Sequence, residues 1–200
     1  MQNFPNANQL SGRAIGAIFG ACFGTGWLFL GLAAKQMINP ATVAGTMSGM
    51  VALLLTAAYL LRQAKRWPRV PNNPAMGRAF GWVNAIQWIA IAITAFTLGR
   101  LHLDAYIPSA VAVIVGLHMF PLARLFHYPL HYATGTVLVG WAVATALFVP
   151  VNEMQGAAAL GTGIILWLSA VVTLTIGLRA AAGGRLSIET PTGGALENEG

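Results

Sequence analysis

The stretch Ala14–Ala34 reads AIGAIFGACFGTGWLFLGLAA and contains no charged side chain. A transmembrane α-helix needs about 20 consecutive apolar residues, so this stretch predicts one helix that crosses a bilayer. Five further apolar runs follow along the chain, at Thr42–Leu61, Ala79–Gly99, Ile107–Leu122, Tyr132–Val149 and Ala157–Leu178. The sequence therefore predicts an all-α integral membrane protein in which six transmembrane helices form a compact bundle. The short connections between the runs would suit three helical hairpins.

The composition excludes an ordinary soluble domain. Of 200 residues, 56% are hydrophobic and 8% are charged, whereas soluble domains carry about 25% charged residues. Too few polar side chains remain to build a solvated surface, so lipid must surround most of the chain. We expect residues 1–182 to form the six-helix transmembrane domain, with the first eleven residues loosely ordered. The stretch 183–200 is rich in Gly, Thr and Glu and predicts a flexible cytoplasmic tail.

The basic residues fall between the apolar runs and predict the orientation of the chain. Cytoplasmic loops of membrane proteins carry an excess of Lys and Arg. With a cytoplasmic N-terminus, nine of the 11 Lys and Arg residues lie on the cytoplasmic side, and only Lys35 and Arg100 lie outside. An even number of spans then returns the C-terminus to the same side. The sequence predicts a multi-pass protein of a bacterial inner (cytoplasmic) membrane, with both termini in the cytoplasm.

The net charge of +6 and the pI of about 10.3 point to lipid rather than to nucleic acid. The cations cluster at the ends of the predicted spans instead of covering one surface, which is typical of contact with anionic headgroups. No recognisable nucleic-acid-binding motif is present. We therefore expect membrane lipids to be the partners, with anionic headgroups bound on the cytoplasmic side.

Glycine recurs at every fourth residue of the first run, at Gly12, Gly16, Gly20 and Gly24. Missing side chains on one helix face let another helix approach closely. The pattern predicts a helix-packing face of the glycine-zipper type. Its partner could be a helix of the same bundle, a second copy of the chain in a homodimer, or another membrane protein.

Polar side chains are scarce inside the predicted spans. No Asp, Glu, Lys or Arg lies deep in any of them, and the remaining candidates are Asn84, Gln87 and His118. At 1.5 Å per residue these lie roughly 8–12 Å inside the cytoplasmic leaflet. Asn84 and Gln87 share one helix face, while His118 belongs to the next helix. They predict either a substrate-contacting cavity, with Arg124 near its cytoplasmic mouth, or interhelical hydrogen bonds that only hold the helices together.

The segment His118–His131 joins the fourth and fifth runs and contains two prolines. Proline disfavours a helix interior, so we expect the fourth helix to be broken at Pro121. Arg124, His127 and His131 alternate with apolar and aromatic residues, which is typical of a segment lying in the headgroup layer. We expect these three cationic or titratable residues to contact anionic headgroups. Binding of an anionic or aromatic solute is the alternative.

Catalytic and metal-dependent chemistry finds little support in the residues. His127 and His131 have the i, i+4 spacing of a metal-ligand pair, but Pro129 separates them and no cysteine or carboxylate lies nearby. Ser48 and His118 lie at different predicted depths, which disfavours a serine–histidine pair. We predict no catalytic residue, no metal site and no cofactor.

Three classes of function follow from these patterns. The polar residues near the predicted cytoplasmic face favour a transporter or channel for a small neutral or anionic solute. The glycine face favours a non-catalytic interaction or scaffold protein of the membrane. A membrane-embedded enzyme comes third, because the sequence offers no pair of nucleophile and base.

Overall fold

The computed structural model describes residues 6–71 and 73–189, and this part of the chain is helical without strands. Its six long helices are α1 (Ala7–Ala34), α2 (Pro40–Ala64), α3 (Pro74–Arg100), α4 (Ile107–Phe126), α5 (Leu130–Phe148) and α6 (Val151–Glu189). A single 3₁₀ turn, Asp104–Tyr106, precedes α4. Each of the six helices is long and apolar enough to cross a membrane. The predicted all-α fold with six helices long and apolar enough to span a membrane is confirmed.

Asparagine side chains cap the first three helices. The side chains of Asn6, Asn39 and Asn73 each accept hydrogen bonds from amides of the first turn. Pro40 and Pro74 follow two of these caps at the first helical position, where a missing N–H removes no helical hydrogen bond. The helices therefore begin before the apolar runs do. The loose order predicted for the first eleven residues is wrong from Ala7 onward, because the Asn6 cap starts α1 there.

Helix α4 continues through Pro121 to Phe126, so the predicted break at Pro121 is wrong. A proline removes one helical hydrogen bond, but membrane helices tolerate it where neighbouring contacts hold the backbone. Here α4 packs along α5, and the amides of His127 and Tyr128 donate to carbonyls of the last turn, at Ala123 and Arg124. His127 closes the helix in the left-handed conformation, with φ of 50°.

Helix α6 continues seven residues beyond the point where the sequence predicts a tail. It runs to Glu189, and 190–200 lie outside the described residues. The extension shows that the Gly-rich start of the predicted tail is compatible with helix. No further part of the predicted flexible tail is described.

Helix α6 is the centre of the bundle. It runs antiparallel to α1, since Gly20 lies beside Ala170 and Gly31 beside Leu160. Helix α2 packs on α1 and α6, and α5 packs on another side of α6. Helix α4 packs on α5 and α6, and α3 packs mainly on α4. None of the α3 residues is buried, so α3 is the most peripheral helix.

Two interfaces bring backbones together at glycine pairs. A Cβ added to Gly163 of α6 would lie 2.8 Å from the carbonyl oxygen of Gly24 in α1. A Cβ on Gly135 of α5 would lie 2.6 Å from the carbonyl oxygen of Gly116 in α4. Such separations are too short for a side-chain carbon, so both contacts depend on glycine.

The predicted glycine face of α1 divides into two halves. Gly20 and Gly24 lie against α6. Gly12 and Gly16 are exposed, and a Cβ added to either of them would meet nothing within 4 Å. A glycine zipper that extends over all four residues therefore stays a prediction.

One end of the bundle collects the cations, and we call it the basic end. It holds the start of α1, the α2–α3 loop, the α4–α5 turn and the far part of α6. Among side chains of 6–71 and 73–183, this end carries no Asp or Glu. Its eight Lys and Arg residues are Arg13, Arg62, Lys65, Arg66, Arg69, Arg78, Arg124 and Arg179. At the opposite end, Lys35 and Arg100 are balanced by Asp104 and Glu153, and Lys35 Nζ lies 2.9 Å from Glu153 Oε2.

The α2–α3 loop is fastened to the start of α1. The side-chain amide of Asn8 donates through Nδ2 to the carbonyl oxygen of Val70 at 2.8 Å, and the backbone N–H of Val70 donates to Asn8 Oδ1 at 3.3 Å. The Ala7 amide donates to the carbonyl oxygen of Pro68. Trp67 is only 9% exposed and packs in the core between α1, α2 and α6. These contacts fix much of the positive charge at one end.

Replacing Gly135 by Ala tests the close contact between α4 and α5. We expect Gly135→Ala to lower the stability by about 1–3 kcal/mol, because the new methyl group displaces the backbone of Gly116. Gly140→Ala is the matched control on the same helix, since its Cβ would meet nothing within 4 Å. The control should be neutral or stabilising by up to about 1 kcal/mol. Thermal unfolding in detergent measures both, and equal midpoints for the two variants would contradict the assigned packing.

Candidate functional site

The three polar residues predicted to line a cavity have different surroundings. Asn84 Nδ2 donates to the carbonyl oxygen of Phe80 at 2.8 Å, one turn earlier in α3. His118 of α4 lies beside the backbone of Val83 in α3. Gln87 is half-buried on α3. The His118 imidazole thus faces α3, whereas the Asn84 amide group is engaged within its own helix.

The structure brings His118 close to His131. The sequence predicts His118 as a cavity residue and His131 as a contact of lipid headgroups. Gly116 of α4 lies against Gly135 of α5, and the rings of Phe120 and Tyr132 are 5.9 Å apart, so His118 and His131 lie at similar levels of the α4–α5 interface. His131 is half-buried in the first turn of α5, next to α4, and its contact with headgroups stays a prediction. Both residues have a buried Nδ1 atom without a hydrogen-bond partner. We call these two residues the histidine pair.

Hydroxyl groups connect the α4–α5 turn and α5 to α6. The Tyr128 hydroxyl donates to Thr173 Oγ1 at 3.3 Å, and Thr134 Oγ1 lies 2.8 Å from Ser169 Oγ. The rings of Tyr128 and His131 meet edge to face, with centroids 5.1 Å apart. The polar side chains of α5 and α6 therefore form a seam that extends inward from the α4–α5 turn.

Sequence reasoning missed this seam, although a signal for it was present. His131 and Thr134 are three residues apart, and Ser169 and Thr173 are four apart, so each pair shares a helix face. A polar face on each of two helices indicates that the faces meet. The pairing of α5 with α6 was needed to see it, and that pairing is a property of the fold.

The buried nitrogens of the histidine pair are chemically unusual. Leaving a buried polar group without a hydrogen bond costs about 1–3 kcal/mol, and most such groups in native structures have a partner. A neutral imidazole offers one donor and one acceptor nitrogen. The pair can therefore donate to, or accept from, a small polar molecule that enters the bundle.

A depression lies at the surface next to the histidine pair, at the α4–α5 turn. Its volume is 470 Å³. It is lined by Ala123, Arg124, His127, Tyr128, Pro129 and Tyr132. Tyr128 therefore lines the depression and also contacts the ring of His131. The guanidinium of Arg13 lies 5.6 Å from the centre of the Tyr128 ring.

A second depression, of 360 Å³, runs along α1 and is largely apolar. It is lined by Cys22, Phe23, Gly26, Trp27 and Leu30. Neither depression is lined by Asn84, Gln87 or His118, the residues on which the sequence-based cavity was placed. Within 6–71 and 73–189, no three His, Cys, Asp or Glu side chains are grouped to hold a metal ion.

Comparisons with protein-family models, with curated proteins and with solved structures find no match for this chain. Function must therefore be inferred from the chemistry of the residues, because a helical bundle alone is compatible with many activities. The histidine pair and the depression beside it are the features with the most specific chemistry.

Replacing His131 by Phe tests whether the imidazole is retained at the expense of stability. Phenylalanine keeps the ring contact with Tyr128 and removes the buried nitrogen that lacks a partner. We expect His131→Phe to unfold at the same or a higher temperature than the wild type, with a gain of up to about 2 kcal/mol.

Thr134→Val is the control for that comparison. It removes a satisfied hydroxyl and leaves Ser169 without its partner, so we expect a loss of about 1 kcal/mol. Thermal unfolding of the three proteins in the same detergent gives the comparison. A His131→Phe protein less stable than Thr134→Val would mean that the imidazole is a structural group.

Proposed function

We propose that the protein is a transporter or channel for a small neutral or anionic solute, and that the histidine pair contacts this solute. The observation that carries the proposal is the presence of two buried imidazole nitrogens without partners inside a bundle of membrane-spanning helices. Burying polar groups at such positions costs free energy, and such groups commonly mark the path of a substrate or an ion.

The charge around the histidine pair favours a neutral or anionic solute over a cation. Arg13, Arg124 and His127 lie around the α4–α5 turn. No carboxylate of the described side chains lies at the basic end to attract a cation. A cation approaching from this end would meet only like charge, whereas an anion would be drawn toward it.

The distribution of charge also supports an orientation. We propose that the basic end faces the cytoplasm of a bacterial cell, that both termini lie there, and that the six helices cross the inner membrane as three hairpins. Among the side chains of 6–71 and 73–183, the eight cations of the basic end have no carboxylate at that end, while two cations and two carboxylates balance at the opposite end. Such an asymmetry is the usual determinant of topology in membrane proteins.

A reporter fused after Gly200 tests this orientation. We expect a cytoplasm-dependent fluorescent reporter to be active there, and a periplasm-dependent enzymatic reporter to be inactive. Insertion of the same reporters after His102, at the opposite end, should give the reversed pattern. Periplasmic activity of the fusion after Gly200 would contradict the assignment of sides without affecting the helices.

Solute passage can be measured with the purified protein in liposomes, by light scattering after an osmotic step. The panel contains small neutral polyols and amides together with small organic and inorganic anions. We expect wild-type protein to raise the permeability for at least one member severalfold over empty liposomes. His118→Leu should remove most of this increase, because it removes one of the two polar groups assigned to the solute path.

His102→Leu is the matched control, since His102 is exposed at the opposite end. It should retain the wild-type permeability. Equal behaviour of His118→Leu and His102→Leu, with both proteins folded, would contradict a role of the histidine pair. Permeability indistinguishable from that of empty liposomes across the whole panel would contradict passage of these solutes.

A non-catalytic interaction protein is the second candidate, and one observation favours it. The exposed half of the glycine face, at Gly12 and Gly16, has open space in front of it. Another helix could approach closely there. If no solute passes and Gly16→Leu changes the oligomeric state in detergent while Gly26→Leu does not, this second function is the better one. Gly26 is a suitable control because its Cβ would also meet nothing within 4 Å.

A further inference from the structure

The depression at the α4–α5 turn is mostly apolar, but several of its lining residues carry hydrogen-bond donors. Arg124 lies in the last turn of α4 and His127 is its left-handed cap. Tyr132 comes from the first turn of α5, and its ring contacts Phe120 with centroids 5.9 Å apart. Donor groups of three different kinds therefore line one concave surface of 470 Å³: a guanidinium, an imidazole and a phenol hydroxyl.

No described carboxylate neutralises the positive charge in this depression. Arg124 makes no ion pair with any described side chain, and among the side chains of 6–71 and 73–183 no Asp or Glu lies at the basic end. Lys35 at the opposite end, by contrast, is paired with Glu153. An arginine that lines a concave surface without a carboxylate partner has its five donors available for an external anion.

Tyr128, which lines the depression, is contacted by residues of two other helices, α6 and α1. Its hydroxyl is hydrogen-bonded to Thr173 of α6, and the Arg13 guanidinium lies over its ring. Arg13 thereby adds a second positive charge next to the depression from a different helix. Helix α5 begins at Leu130, and no side chain caps its first amides. The positive end of its dipole adds to the field in the same place.

We propose that this depression binds a phosphate group, carried by the headgroup of an anionic phospholipid or by a free phosphorylated solute. A tetrahedral phosphate presents several acceptor oxygens, which suits donors that converge from the two helix ends. Arginine pairs with phosphate through two parallel hydrogen bonds, which are stronger than those between neutral groups. The site shares Arg124 and His127 with the charged surroundings of the histidine pair, but phosphate binding can be measured separately from solute passage.

The test uses the full-length protein in a neutral detergent and equilibrium binding of a fluorescent phosphatidylglycerol. We expect this lipid to bind at least about tenfold more tightly than the matching phosphatidylcholine, whose quaternary amine offsets the phosphate charge. Unlabelled glycerol 3-phosphate and inorganic phosphate are then added as competitors. Displacement by the free phosphates at millimolar concentration assigns the site to soluble phosphates, and resistance to them assigns it to the lipid.

Three variants localise the binding. Arg124→Gln should weaken it about tenfold, and His127→Asn should weaken it severalfold while preserving the turn, because asparagine tolerates the left-handed conformation. Arg66→Gln removes one charge from the same end at an exposed loop position and should keep wild-type affinity. Equal losses in Arg124→Gln and Arg66→Gln, or equal affinity for the two lipids, would overturn the proposal in favour of diffuse attraction. Unfolding midpoints of all variants control for loss of structure.

Discussion

Inside a bilayer, a polar group finds no water, so its hydrogen bonds must come from the protein itself. The structure meets this requirement mostly within helices. The hydroxyl groups of Thr25, Thr56 and Thr175 each donate to the carbonyl oxygen one turn earlier. Trp167 of α6 donates its indole N–H to the carbonyl oxygen of Ala21 in α1. Three buried side-chain atoms of the described residues depart from this pattern, Thr162 Oγ1 and the two nitrogens of the histidine pair. The two nitrogens belong to neighbouring helices, α4 and α5, and are therefore the stronger candidates for a functional role.

The second constraint is close contact between backbones. Lipid tails are as apolar as leucine side chains, so the hydrophobic effect does not drive helices together within a membrane. The helices associate instead through packing and interhelical hydrogen bonds. The contacts of Gly24 with Gly163 and of Gly116 with Gly135 provide such packing at the two most extensive interfaces. They also determine how α4 and α5 face each other, and hence where the histidine pair lies relative to the α4–α5 turn.

The sequence alone was sufficient for the number and nature of the helices, because length and apolarity are local properties. Helix ends were less predictable, since the Asn39 and Asn73 caps and the prolines after them lie outside the apolar runs. The break predicted at Pro121 failed because packing along α5 supports the helix through that residue. His118 was recognised as a candidate, but its proximity to His131 depends on the rotation and register of two neighbouring helices. Neither quantity can be read from periodicity when most faces of a helix are apolar.

The antiparallel contact between α1 and α6 joins the two ends of the helical region. During synthesis, α1 leaves the ribosome before α6. The surface of α1 that holds Gly20 and Gly24 therefore has no α6 to pack against until most of the chain has been translated. Until then it faces lipid or some temporary neighbour. The bundle can therefore reach its final arrangement only after the sixth helix has entered the bilayer, and truncation before α6 would leave five helices without their central element.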